Sequence, residues 1–114
     1  RYTMNTWLDT VKKENTLDSL TTLVEAWGHD KGILPNPQAD KQFIKTMEEV
    51  GELQDAIIDN NREEVKDAIG DIVVTLIMQT QAWDLTLVEC VEQAYNFISE
   101  RTGKMVDGIF VKDS

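Results

Sequence analysis

Apolar residues recur at three- and four-residue spacing through most of the chain, the signature of amphipathic helices. Leu17, Leu20, Val24 and Trp27 fall on one face of a first helix that Asn15 or Thr16 can cap and that runs to about His29. The stretch DKGILPNPQAD breaks it. Asn36 followed by Pro37 is a cap-then-proline start, so a second helix runs from there, or from about Asp40, to Ile58 and turns Phe43, Met47, Val50, Leu53 and Ile57 toward a core. Asn61 with Glu64 has the spacing of a capping box and opens a third helix to about Trp83, and Asp84 can cap a fourth that ends at Gly103. The β-branched DIVVT alone would suit a strand, but it sits inside a long span between two helix caps. Near the C-terminus, KMVDGIFVK sets an Asp-Gly pair between short apolar runs, the pattern of a tight hairpin or extended tail. The expected fold is therefore all-α: an antiparallel four-helix-type bundle with a short C-terminal hairpin or tail, forming a single domain over residues 1–114.

Size and charge narrow the function. A chain of 114 residues has room for one modest core and no second domain. Its 21 acids against 11 bases give a formal charge of -10 and argue against polymeric nucleic acid as a partner, so an anionic ligand would need a metal bridge. The lone Cys90 cannot form an internal disulfide, which points to the cytoplasm and to a small core residue. No apolar run is long enough to span a membrane, and the first residues lack the order of a secretion signal. Met4, close behind Arg1, is the expected native start.

The stretch from Glu48 to Met78 then poses a problem, because acids gather where the core should be. At 100° per residue Glu49 and Glu52 share a face with Lys45 and Ala56, beside the apolar stripe. On the third helix Glu64, Asp67 and Asp71 share a face with Ala68 and Thr75, and apolar neighbours make Asp71 an expected buried residue. Antiparallel packing brings Glu49, Glu52 and Asp71 together, and unpaired buried carboxylates cost several kcal/mol. Lys45, Arg62 and Lys66 are too few and poorly phased to neutralise them. A divalent ion fits better: Mg²⁺, with Mn²⁺ as substitute, takes carboxylate oxygens and bridges to phosphates. Against this stands the plainer reading of glutamates as good helix formers on a solvated face. Gly51 and Gly70, beside Glu52 and Asp71, favour the metal by suggesting close backbone approach. A di-iron bundle would need Glu-x-x-His pairs, and the single histidine, His29, is in the wrong helix.

MEEVGELQDAI followed by DAIGDIVV resembles the MazG-like all-α nucleoside triphosphate pyrophosphohydrolases, whose signature is EExxE on one helix and ExxD on the next. The likeness runs roughly from Leu17 to Lys112, taking in LVEAWGHDKGI and QFIKTMEEVGEL, and the ending GKMVDGIFVK is similar to short phage-type members. It implies Mg²⁺-dependent hydrolysis of (deoxy)nucleoside triphosphates to monophosphate and pyrophosphate, in a housekeeping or nucleotide-pool role. By the same resemblance Glu49, Glu52 and Asp71 match metal ligands, and Glu48, with Glu49, orients or deprotonates the attacking water. The glutamate of ExxD falls on Ala68, so Asp67, or Glu64 one turn earlier, becomes the candidate substitute ligand. In the fourth-helix pattern N-x-K-x-x-R the lysine falls on Ile98, which leaves Arg101 and Lys104 for phosphate contacts and Asn96 for sugar or base. Lys45 is a further substrate contact, and Trp27 is placed to stack a base or to fill the core. The resemblance also implies a homodimer or homotetramer, which three tryptophans and a helix apolar all round would suit. The competing reading is a non-catalytic acidic module that binds a protein partner or senses nucleotide.

Overall fold

A computed structural model describes residues 16–114; Met4 and Asn15 lie outside the described residues. Among the described residues four helices, α1 (Leu17–Asp30), α2 (Ala39–Ile58), α3 (Arg62–Ala82) and α4 (Leu87–Ile98), precede a hairpin of β1 (Gly103–Val106) and β2 (Ile109–Lys112). The all-α expectation holds, hairpin included. Thr16 caps α1 reciprocally, its hydroxyl accepting from the Ser19 amide while its own amide donates to Ser19 Oγ, both at 3.1 Å. Asn61 caps α3 by accepting from the Glu64 amide at 3.2 Å. The β-branched run stays helical throughout, because it lies in the middle of α3.

α2 starts at Ala39 behind Gln38, beside the Asp40 alternative rather than at Pro37, and ends at Ile58 as expected. Both ends of α4 differ from the sequence reading. Asp84 does not cap α4: it adopts a left-handed φ of 55° while the Leu85 amide donates to Thr80 O, so it belongs to the end of α3. Thr86 is the cap instead, exchanging hydrogen bonds with Glu89 in a capping box. α4 then stops at Ile98, and Gly103 pairs with Lys112 as the first residue of a strand. The hairpin turns through Asp107 and Gly108, both at positive φ (50° and 79°), as a two-residue turn requires.

The backbone of the molecule is the α2–α3 hairpin, by far its most extensive helix contact. Small and polar side chains make it. Ala56 and Ala68 are buried, and Thr46 Oγ1 donates to Thr75 Oγ1 at 2.8 Å. Gln79 Nε2 donates to Ala39 O at 3.0 Å a turn further along. These ties set an antiparallel register in which the turn after Thr46 meets the turn before Thr75. The core proper lies along the C-terminal half of α3, where Leu34, Ile77 and Met78 are buried among Val24, Ile33, Val73 and Leu87. Gly28 lets α1 approach there: a Cβ at that position would stand 2.8 Å from Met78 Sδ and 3.1 Å from Leu34 Cδ1.

The expected α2 stripe does not reach this core. Phe43, Met47, Val50 and Ile57 are exposed, and on α1 so are Leu17 and Trp27. Periodicity identified an apolar face correctly, but among the described residues only its Leu53 is half-buried. Cys90 is also exposed on α4 rather than in a core. Gly51 and Gly70 have open space where a Cβ would go, so neither marks a close backbone approach. No described helix is long and apolar enough to cross a membrane.

Candidate metal centre

Because Thr46 meets Thr75, one further turn of α2 carries Glu49 and Glu52 to face Asp71, one turn back along α3. One carboxylate oxygen from each of the three lies within 4.8 Å of the others. Their burial differs from expectation. Asp71 is exposed at the mouth, and Glu49 is the inner member, its Oε2 shut away from solvent with no hydrogen-bond partner. Two carboxylates side by side are both acceptors, so without a proton or a cation between them that oxygen has nothing to bind. The Glu49 carboxyl is accordingly pushed up to about 7, first by the hydrogen bond it would share with Glu52, then by burial and by the charges of Glu52 and Asp71; Lys45 opposes the shift.

A raised carboxyl pKa stabilises the fold below the unfolded value near 4.5 and ceases to do so as pH rises through about 7. The metal-free protein should therefore lose thermal stability between those limits, and Glu49→Gln should flatten that part of the curve. Melting curves in chelator across the range check this. An unchanged slope in the variant would mean that another group is responsible.

Beyond the three acids, Glu52, Asp55, Glu64, Asp67, Ala68 and Asp71 line an open acidic basin of about 400 Å³. Ala68 occupies the position that faces α2 and is buried there, while Asp67, 100° around the helix, reaches the basin but not the three-oxygen group. Asp55 was not foreseen; it follows Glu52 by three residues on the same helix face. Glu48 stands outside the group, its Oε2 accepting from Lys45 Nζ at 2.9 Å, and this contact raises the Lys45 pKa. Asp71 also lines a second cavity of about 400 Å³, together with Leu20, Leu23, Val24, Trp27 and Val74. Trp27 is 46% exposed there and takes no part in the core. Asn96, Arg101 and Lys104 sit on α4 and just beyond, and no α4 or hairpin Cα comes within 8 Å of α2.

A divalent ion suits this donor set: hard oxygen ligands, one of them buried and unsatisfied, converging from two helices held in register. The ordinary alternative, a solvated acidic face, does not account for the orphaned Glu49 oxygen.

A stretch of 62 residues is 37% identical to an uncharacterized 18.2 kDa protein in the rep-hol intergenic region of Haemophilus phage HP1 (strain HP1c1), covering 54% of this chain and 38% of that relative. No solved structure matches. The sequence model of the MazG nucleotide pyrophosphohydrolase domain matches residues 40–106, which include Glu49, Glu52, Asp71, all of α3 and all of α2 but Ala39. With more than half of its length matched, the chain belongs to the MazG nucleotide pyrophosphohydrolase domain family.

Proposed function

We propose that this domain hydrolyses nucleoside triphosphates, deoxy forms among them, to monophosphate and pyrophosphate with Mg²⁺ as cofactor and Mn²⁺ as substitute. The buried, partnerless Glu49 Oε2 at the junction of three carboxylates carries the reading. Glu49, Glu52 and Asp71 would hold the ion, which when bound supplies charge to the phosphates and lowers the pKa of water. Glu49, poised near neutrality, and Glu48 are the groups available to orient water or take its proton. Lys45, already held beside Glu48, offers a cation for a phosphate oxygen. The Trp27 cavity beside Asp71 is apolar enough to stack a base while the phosphates lie over the acids. Catalysis on this scheme is mainly positioning and electrostatics.

A homodimer or homotetramer is part of the same proposal, supported by the uncovered stripe of Phe43, Met47, Val50 and Ile57. Asn96, Arg101 and Lys104 would then meet the substrate from a neighbouring copy. The cytoplasm remains the proposed location, in keeping with a single free cysteine. Phosphorus NMR of a reaction with each of the common triphosphates tests the chemistry. Monophosphate and pyrophosphate are expected in equal amounts; diphosphate with orthophosphate would place cleavage at the wrong bond.

Asp67 and Glu64 can be tested as substitutes for the carboxylate missing at Ala68. Asp67→Asn or Glu64→Gln should lower turnover by about 10- to 100-fold, the usual loss for an outer partner of a metal site. Glu63→Gln should not. Full activity in both variants would leave a three-acid site, in which Ala68→Glu should tighten metal binding. The buried Ala68 is also what favours the second reading, a non-catalytic module, and absence of turnover with every triphosphate would support it.

A further inference from the structure

Among the described residues, the buried hydroxyls are those of Ser19, Thr75 and Thr80. Those of Ser19 and Thr80 bond within their own segments, to Thr16 and to Ile77 O. Thr75 reaches another helix. Its Oγ1 lies 2.8 Å from Thr46 Oγ1, the only hydrogen bond between side chains of different helices among the described residues. At that distance one of the two hydroxyl protons must lie between the oxygens, since bare lone pairs would repel. The helices stay joined whichever carbonyl takes the other proton, Ile72 O at 2.7 Å from Thr75 or Gln42 O at 3.0 Å from Thr46.

This pair lies one turn from the acids on both helices. Thr46 stands three residues before Glu49, and Thr75 four residues after Asp71. Ile72, whose carbonyl Thr75 bonds, follows Asp71 directly. On the other side of the acids are the buried Ala56 and Ala68, which offer no directional bond. Methyl groups in contact tolerate sliding, whereas a hydrogen bond weakens steeply once its distance and angle are lost. Sliding would matter here: one residue of slip carries a helix about 1.5 Å along its axis, while three oxygens must reach one Mg²⁺ at about 2.1 Å. An aliphatic pair in place of the threonines would fill the same space without specifying where along the seam the helices stop.

We infer that Thr46 and Thr75 are positioning residues of the metal centre: their hydroxyl bond fixes the α2–α3 register that sets Glu49 and Glu52 against Asp71. Both act through the acids rather than on the ion. The inference rests on the reading of Glu49, Glu52 and Asp71 as metal ligands, and adds the part that holds them in place before an ion arrives.

Titration calorimetry of Mn²⁺ into the metal-free chain, paired with its metal-free melting curve, tests it. Thr46→Val combined with Thr75→Val replaces both partners by apolar side chains of the same shape, a change that is nearly neutral for stability. The double variant should stay helical and melt close to the parent, yet bind Mn²⁺ about 10- to 100-fold more weakly, the usual loss when a support of a metal ligand is removed. Thr46→Ser keeps the hydroxyl and should bind as the parent does. Gln79→Met is the control. It breaks the other α2–α3 tie, made to Ala39 O through a longer side chain eight residues from Asp71, and should lower the melt without weakening Mn²⁺ binding. Parent-like affinity in the double variant would overturn the inference, as would an equal loss of affinity in Gln79→Met, because the threonines would then contribute stability alone. A parent chain that binds no Mn²⁺ would instead overturn the metal reading on which the inference stands.

Discussion

Millimolar Mg²⁺ is expected to raise the melting temperature by roughly 10 °C or more. An ion present at a hundred times its dissociation constant, and bound only by the native state, adds about 2.7 kcal/mol. For a domain near this size each kcal/mol moves the midpoint by several degrees. The cause is local: three carboxylate oxygens within 4.8 Å, one of them buried without a partner, repel one another until a cation joins them. Mn²⁺ should act likewise, and the effect should be larger above pH 7, where Glu49 has lost the proton that otherwise stands in for the ion. Differential scanning fluorimetry with and without metal, and with a triphosphate that cannot be hydrolysed, measures it. A melt indifferent to both ions would remove the metal centre.

Glu49→Gln should separate stability from activity more sharply than any other single change. The amide can donate to a neighbouring carboxylate where Glu49 Oε2 finds no partner, so the metal-free melt at neutral pH should rise by a few degrees. Turnover should fall on the order of 10³-fold, because the ion's contribution to transition-state stabilisation is several kcal/mol and each decade of rate is about 1.4 kcal/mol. Asp71→Asn should also abolish turnover, but its exposed position predicts a smaller gain in the metal-free melt. A Glu49→Gln protein that is stable and fully active would exclude the residue from the site.

The legible part of the molecule was what local patterns determine. Thr16 and Asn61 announced two helices, Asp107–Gly108 announced the turn, and the i, i+3 spacing of Glu49 and Glu52 placed both acids on the face that meets Asp71. Where two local signals competed, the reading failed. Asp84 is as good a cap residue as Thr86, and only the Leu85-to-Thr80 hydrogen bond, which closes α3, decides between them. Burial was the least legible property. The Phe43–Ile57 stripe has the period of a core face, yet α2 meets α3 through Thr46, Ala56, Ala68 and Thr75, residues that small size and a shared hydroxyl bond bring close. Apolar neighbours in sequence suggested that Asp71 was the buried acid. A helix turns those neighbours to other faces, and the α2–α3 register instead encloses Glu49. Charge crowding was visible in the sequence; which oxygen it orphans was not.

The measurement that bears most directly on the metal centre is titration calorimetry of Mn²⁺ into the metal-free protein near pH 6.5. Run in two buffers of different ionisation enthalpy, it reads protons released as well as ions bound. Since the Glu49 carboxyl sits at about 7, binding should be saturable, should release a substantial fraction of one proton per site, and should lose both that release and most of its affinity in Glu49→Gln. Binding of the same strength in the variant, or none in the parent, would contradict the assignment of Glu49, Glu52 and Asp71 as the metal centre.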